Sequence, residues 1–192
     1  FGLTMSEERT RQLAENMPAA YNMLPSAGYF TTVDSAFAVN RVVSFENIPF
    51  FDSQILQYGV YVSDQTELRN YILGTDSRTK PNFNDTANPN IGNSTIYTQA
   101  ENLHNILDNW QAPVGTEIIQ VAGWGEETLA GLDYKSYMSL FGFGSQKLSY
   151  VPRMVVDGDS TVVVPSALWM PENSNAKRYW VDLQKYDDIS TL

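Results

Sequence analysis

The chain has 192 residues, 43% of them apolar, which suffices to bury one core, and no apolar run approaches the roughly 20 residues that cross a bilayer. Twenty-two acids against twelve bases leave a net charge of −10, and residues 81–134 hold seven acids and no Lys or Arg, so nucleic-acid backbones and anionic membrane surfaces are repelled. Cysteine is absent, which removes disulfides, thiol nucleophiles and thiolate metal sites together and leaves the compartment open.

Phe1, Gly2 and Leu3 lack the basic start of a secretory signal, and the opening reads as that of a processed product or an excised piece. Thr4 and Glu7 have capping-box spacing ahead of Leu13, Ala14 and Met17, predicting a short helix that Pro18 stops. Ala19 to Ser26 read as a packed, proline-punctuated connector. Phe37, Val39, Val43 and Phe45 alternate, with Arg41 on the same parity, predicting a short strand. Asp64 and Glu67 repeat the capping box; Leu68, Tyr71 and Ile72 give the apolar face and Gly74 the stop. Residues 75–93 are too polar to pack and read as a long loop, in which Asn84-Asp85-Thr86 and Asn93-Ser94-Thr95 are chance sequons outside a secretory pathway. Thr98 and Glu101 then cap a helix whose Leu103, Ile106, Leu107 and Trp110 form one stripe, closed by Pro113 and Gly115.

After residue 115 the texture becomes strand-like, at Ile118 to Val121, Tyr150 to Val156, Val162 to Val164 and Tyr179 to Leu183, with residues 142–145 as a hairpin turn. An α/β class follows, in three parts: a connecting helix and segment over 1–30, an insertion over 31–115 and the strands of 116–192. Phe45, Ile48, Phe50, Phe51 and Ile55 make an aromatic stretch in the insertion, fit either for the insertion's own core or for lining an acyl-chain channel.

Chemistry concentrates in Met154 to Pro165, where an apolar strand ends in Asp157-Gly158-Asp159-Ser160-Thr161 and a second apolar run begins. Open α/β sheets place their sites at the carboxyl ends of strands. Three readings compete with a hydrolytic one. An Asp-x-Asp-x-Thr phosphatase motif of the haloacid-dehalogenase type needs a downstream Lys and acidic pair, and Asp187 and Asp188 follow Lys185 too closely to supply them. A calcium loop counted from Asp157 fails at Val162, where Gly belongs, and at Leu168, where Glu belongs. A plain Asx turn between strands is the simplest alternative.

The run Asp157 to Trp169, the segment Gln120-Val121-Ala122-Gly123-Trp124-Gly125 with Thr128, and the stretch Asn16 to Ser26 with Tyr29-Phe30 together resemble α/β-hydrolase lipases and acyltransferases of the lecithin-cholesterol acyltransferase-like branch. The resemblance implies a partial α/β-hydrolase fold: a lid or cap insertion and the last sheet strands. It implies Asp159 as the triad acid, with Asp157 the alternative, Thr161 supporting the carboxylate, and Phe45, Phe50 and Phe51 as lid or acyl-binding residues. A lipid-like acyl ester is the implied substrate, without cofactor or metal.

The chain departs from that pattern in one respect: residues 1–192 contain no Gly-x-Ser-x-Gly elbow. The hydrolase order Ser, acid, His puts the nucleophile before Phe1 and the base after Leu192. The sole histidine, His104, precedes the acid and stands four residues from Asp108, as a surface pair would. Two expectations follow. The chain is the acid-bearing part of a serine ester hydrolase or acyltransferase and is inactive alone, or it is a catalytically silent hydrolase-like interaction module. In either case strands lacking neighbours favour self-association or a complementary polypeptide.

Overall fold

The computed structural model describes residues 5–33, 38–138, 146–168 and 176–185. Helix α1 (Glu7–Glu15) is capped by Ser6, whose hydroxyl accepts from the Arg9 N–H, so the cap lies two residues beyond Thr4. No residue of α1 is buried. Polar latches hold it instead: Arg11 donates to the carbonyls of Asn82 and Phe83 at 2.9 Å each, and Glu15 accepts from Asn90 and pairs with Lys80. Pro18 does not stop α1, which has already ended at Asn16; it opens α2 (Pro18–Asn22), because a ring without an N–H fits the first helical turn. Ser26 caps α3 (Ala27–Thr32).

The expected strand around residue 40 is shorter than its alternation. Val39 lies in a 3-10 turn, and only β1 (Val43–Phe45) is extended, with Val43 and Phe45 turned inward; Phe37 is outside the described residues. A second 3-10 turn at Pro49–Phe51 leads into α4 (Asp52–Tyr58) and β2 (Tyr61–Val62). Helix α5 (Gln65–Leu73) follows its sequence signals: the Asp64 carboxylate accepts from the Glu67 N–H at 2.8 Å, the Glu67 carboxylate reaches back to the Ser63 N–H, and Gly74 ends the helix at φ +65°. Residues 75–93 form the expected loop, but it packs despite its polarity: the Arg78 guanidinium stands 4.9 Å over the Tyr71 ring and donates to the Asn90 carbonyl at 3.1 Å. Helix α6 (Ser94–Asp108) starts earlier than Thr98 because the Asn93 side chain accepts from the Thr95 and Ile96 N–H groups.

Two sheets follow from the remaining strands, β3 (Ile119–Trp124), β4 (Thr128–Met138), β5 (Gln146–Val155) and β6 (Lys177–Asp182). One is four-stranded and mixed, in the order β2-β1-β4-β5, with β1 parallel to β4 and the other pairs antiparallel. It therefore joins strands from the 31–115 segment to strands from 116–192. The β4–β5 ladder runs out to Met138 opposite Gln146, as a hairpin requires; its tip lies outside the described residues. The second sheet is the parallel pair β3–β6, in register from Ile119 opposite Lys177 to Trp124 opposite Asp182. Val162 to Val164 do not make a strand: α7 (Val164–Ala167) begins there, with Pro165 in its first turn.

The main core is aromatic and lies against the four-stranded sheet. Phe45, Phe51, Tyr58, Tyr71 and Tyr134 are buried together, with Phe45 stacked on Tyr58 and Tyr134. The buried Tyr71 hydroxyl donates to that of Tyr134 at 2.8 Å, which satisfies it inside the apolar cluster. On the sheet, Arg153 of β5 donates through Nε to both oxygens of Asp133 in β4, at 3.0 and 3.3 Å, and the Ser44 hydroxyl of β1 donates to the same carboxylate. A smaller cluster of Tyr21, Tyr97 and Ala100 joins α2 to α6.

Candidate functional site

Asp159 sits in a loop beside the carboxyl end of β3. The chain leaving β3 is bonded to this loop, with the Gly125 N–H donating to the Val156 carbonyl at 2.9 Å and the Glu126 N–H to the Gly158 carbonyl at 3.1 Å. Thr128, fully buried at the start of β4, is the buttress. Its hydroxyl donates to the Glu126 carbonyl at 3.0 Å and accepts from the Ser160 N–H at 2.8 Å. Gly158 lies so close that a Cβ there would stand 2.4 Å from the Thr128 hydroxyl oxygen. Ser160 holds φ +69°, a left-handed conformation uncommon for a residue with a Cβ. The loop is thus fixed by tertiary contacts as well as by local ones.

The Asp159 carboxylate is oriented through one oxygen. Oδ1 accepts from the Thr161 N–H at 3.0 Å and the Val162 N–H at 2.8 Å, which makes the local motif an Asx turn. Among the described residues nothing donates to Oδ2, so a half-buried carboxylate keeps one acceptor open. Thr161 supports the acid through its backbone N–H. Asp157 is exposed, and its carbonyl accepts from the Val164 N–H at 2.9 Å at the start of α7. Its charge acts on Tyr29: burial first, and Asp157 second, push that phenol up to about 12.

Thr161, Val162 and Val163 form one wall of a cleft of about 640 Å³. Met23, Leu24 and Tyr29 line it from α2, α3 and their connector, Leu107 and Trp110 from α6 and its end, and Leu129 and Leu132 from β4. The cleft accounts for two residues of the apolar stripe predicted on α6, Leu107 and Trp110. The buried face of the helix is Tyr97 and Ala100, docked on α2, whereas Leu103, Ile106, Leu107 and Trp110 stay exposed, Ile106 at 66%. Leu107 and Trp110 border the cleft, and Leu103 and Ile106 are exposed beside it without lining it.

The same cleft contains Ser26, His104 and Asp108, residue types that make a triad, but they are wired for structure. The Ser26 hydroxyl donates to Asp108 at 2.7 Å and caps α3, and the Gly28 N–H donates to the other Asp108 oxygen at 2.8 Å. A carbonyl can only accept, so His104 Nε2 donates to Asn22 O at 3.0 Å. A serine whose single proton goes to a carboxylate is not activated by an imidazole.

Phe45 and Phe51 stand at 3% and 0% exposure in the core cluster, with Phe50 packed against them, and none of the three lines this cleft. Their burial is in a core that residues 31–115 share with β4 and β5, through Tyr134, Leu148 and Tyr150. Sequence reasoning assigned no part in a cleft to Met23, Leu24, Leu107, Trp110 or Leu132, since an apolar helix stripe carries no mark of whether it faces a core or an opening. Among the described residues no three His, Cys, Asp or Glu side chains come together where they could hold a metal ion, and no helix is long and apolar enough to cross a membrane. Asp187 and Asp188 lie outside the described residues.

No protein-family model matches the chain, and neither a curated protein nor a solved structure matches it.

Proposed function

We propose that this chain contributes the catalytic acid and the acyl-binding cleft of a serine carboxyl-ester hydrolase or acyltransferase acting on lipid-like esters. One observation supports the reading above the others: Asp159 has one oxygen pinned by two backbone N–H groups and the other open, at the carboxyl end of a parallel strand, on a loop that walls an apolar cleft. A triad acid must hold an imidazole in one tautomer and stabilise its positive form, which requires a fixed carboxylate with a spare acceptor. Asp159 meets both conditions. Asp157, exposed at the loop's entry, is the weaker candidate.

The cleft suits the apolar part of an ester. Its volume of about 640 Å³ falls in the range of small-molecule sites, and Leu107, Trp110, Leu129, Val162 and Val163 offer it mainly hydrocarbon. The nucleophilic serine and the base come from outside residues 1–192 in this reading. The residues at hand orient the base and hold the acyl group; they do not cleave the ester.

A fluorophosphonate serine-hydrolase probe tests this on the polypeptide as its gene encodes it. Labelling and p-nitrophenyl ester turnover are expected there, with Asp159→Asn lowering turnover by about 10⁴-fold and Asp157→Asn leaving it near wild type. The purified 192-residue chain should show no turnover. Turnover by that chain that Asp159→Asn abolishes would overturn the claim that it is inactive alone. No labelling of the full polypeptide would favour the second reading, a silent hydrolase-like interaction module.

A further inference from the structure

Charge around the apolar cleft is one-sided. Asp108 lines it, and among the described residues no Lys or Arg does. Its walls from α6 and β4, with Leu107, Trp110, Leu129 and Leu132, belong to residues 81–134, the stretch that holds seven acids and neither Lys nor Arg. Asp159 stands on the loop whose Thr161, Val162 and Val163 make another wall, with Oδ1 bonded to two N–H groups of that loop. Asp157 is close enough to act on Tyr29, a lining residue whose phenol is raised by burial and then by that charge.

Two arginines adjoin the cleft along the chain or the sheet, and both are committed elsewhere. Arg41, next to Val42 of the lining, lies 4.3 Å over the Tyr61 ring, and Arg153 donates to both oxygens of Asp133. His104 directs Nε2 to the Asn22 carbonyl. Apolar walls bordered by charge of one sign strengthen its field, so an anion entering this cleft meets repulsion that an uncharged molecule of the same length does not.

We propose that the cleft binds uncharged acyl esters and rejects the fatty carboxylate that their hydrolysis leaves, so that charge clears the product. In that reaction water adds to the acyl carbon, the alcohol departs with one of the water protons and the other passes to solvent, turning a neutral ester into an anion. Naming ester and carboxylate as substrate and product rests on the hydrolase reading; the selection against anions rests on the cleft alone.

Methyl NMR titrations of the 192-residue chain at about pH 8, where fatty carboxyl groups are ionised, test it with methyl octanoate, 1-octanol and octanoate. The Leu107, Leu129, Val162 and Val163 methyls should shift with the ester and the alcohol. Octanoate should bind about tenfold more weakly than 1-octanol in about 20 mM salt, and the gap should close toward about 0.5 M as the charges are screened. Asp157→Asn should narrow the gap and leave the affinity for 1-octanol unchanged; that side chain is exposed, so its loss does not threaten the fold. Octanoate binding as tightly as the alcohol in low salt overturns the proposal and leaves the hydrolase reading standing, as does a gap that salt does not alter. No shift of these methyls with any of the three overturns the proposal together with the acyl-binding role of the cleft. Selection against octanoate without serine-hydrolase labelling defeats the hydrolase reading and leaves an anion-excluding apolar site.

Discussion

The two sheets of this molecule are built on opposite terms. The four-stranded sheet is backed by Phe45, Phe51, Tyr58, Tyr71 and Tyr134 and cross-linked by the Asp133–Arg153–Ser44 network. The parallel pair has a four-residue helix on one face and exposed Ile119, Val121 and Tyr179. Yet the less covered sheet sits beside the oriented carboxylate. The difference teaches where stability and chemistry are kept: a self-sufficient aromatic core anchors β4 and β5, and Thr128, on the first residue of β4, hands that rigidity to the Asp159 loop.

If the aromatic core is the anchor, its loss should be the largest effect. Phe51→Ala is expected to cost about 3–5 kcal/mol in urea unfolding; a cost below 1 kcal/mol would mean that stability is not seated there. The bridge between the two regions comes next. Thr128→Val leaves the Ser160 N–H without its acceptor and should cost about 1–3 kcal/mol. In two-dimensional NMR its shift changes should centre on residues 126–128 and 158–162, and changes spread evenly over the chain would contradict the buttress role.

The sheet network has a pH signature. Hydrogen bonds from Arg153 hold the Asp133 carboxyl below its ordinary 3.8, with partial burial opposing and Ser44 adding to the depression. A depressed folded value means that its contribution is complete above 3.8 and is lost as the pH falls through the lower folded value. Asp133→Asn should therefore lower stability at neutral pH and flatten the acid limb of a stability profile below pH 4; an unchanged acid limb would remove Asp133 from the account. The smallest effect belongs to the cleft rim, where Leu107→Ser should change stability by no more than about 0.5 kcal/mol. A cost above 2 kcal/mol would make the α6 stripe core and close the cleft as a site.

Local signals carried far where one hydrogen bond decides an element. Asp64, Glu67 and Gly74 frame α5 as their spacing says, and Asp159 closes its turn on Thr161 and Val162. They slipped where two caps competed. Asn93, with a short amide aimed at two N–H groups, takes the start of α6 from Thr98, and Ser6 takes that of α1 from Thr4. The alternation through Val39 to Phe45 predicts more strand than forms, because only residues 43–45 find the β4 edge.

What the sequence by itself determined is the chemistry that lies within a few residues: the capped helix α5, the acidic turn, the absence of thiols and of a serine elbow. Tertiary structure alone decided that Phe45 and Phe51 are core, that Leu107 and Trp110 border a cleft instead of packing, and that Ser26, His104 and Asp108 meet without forming a triad. The physical reason is range. Caps and turns are satisfied by groups one to four residues away, whereas burial depends on which distant surfaces arrive, and an apolar stripe is the same in sequence whether it faces a core or an opening.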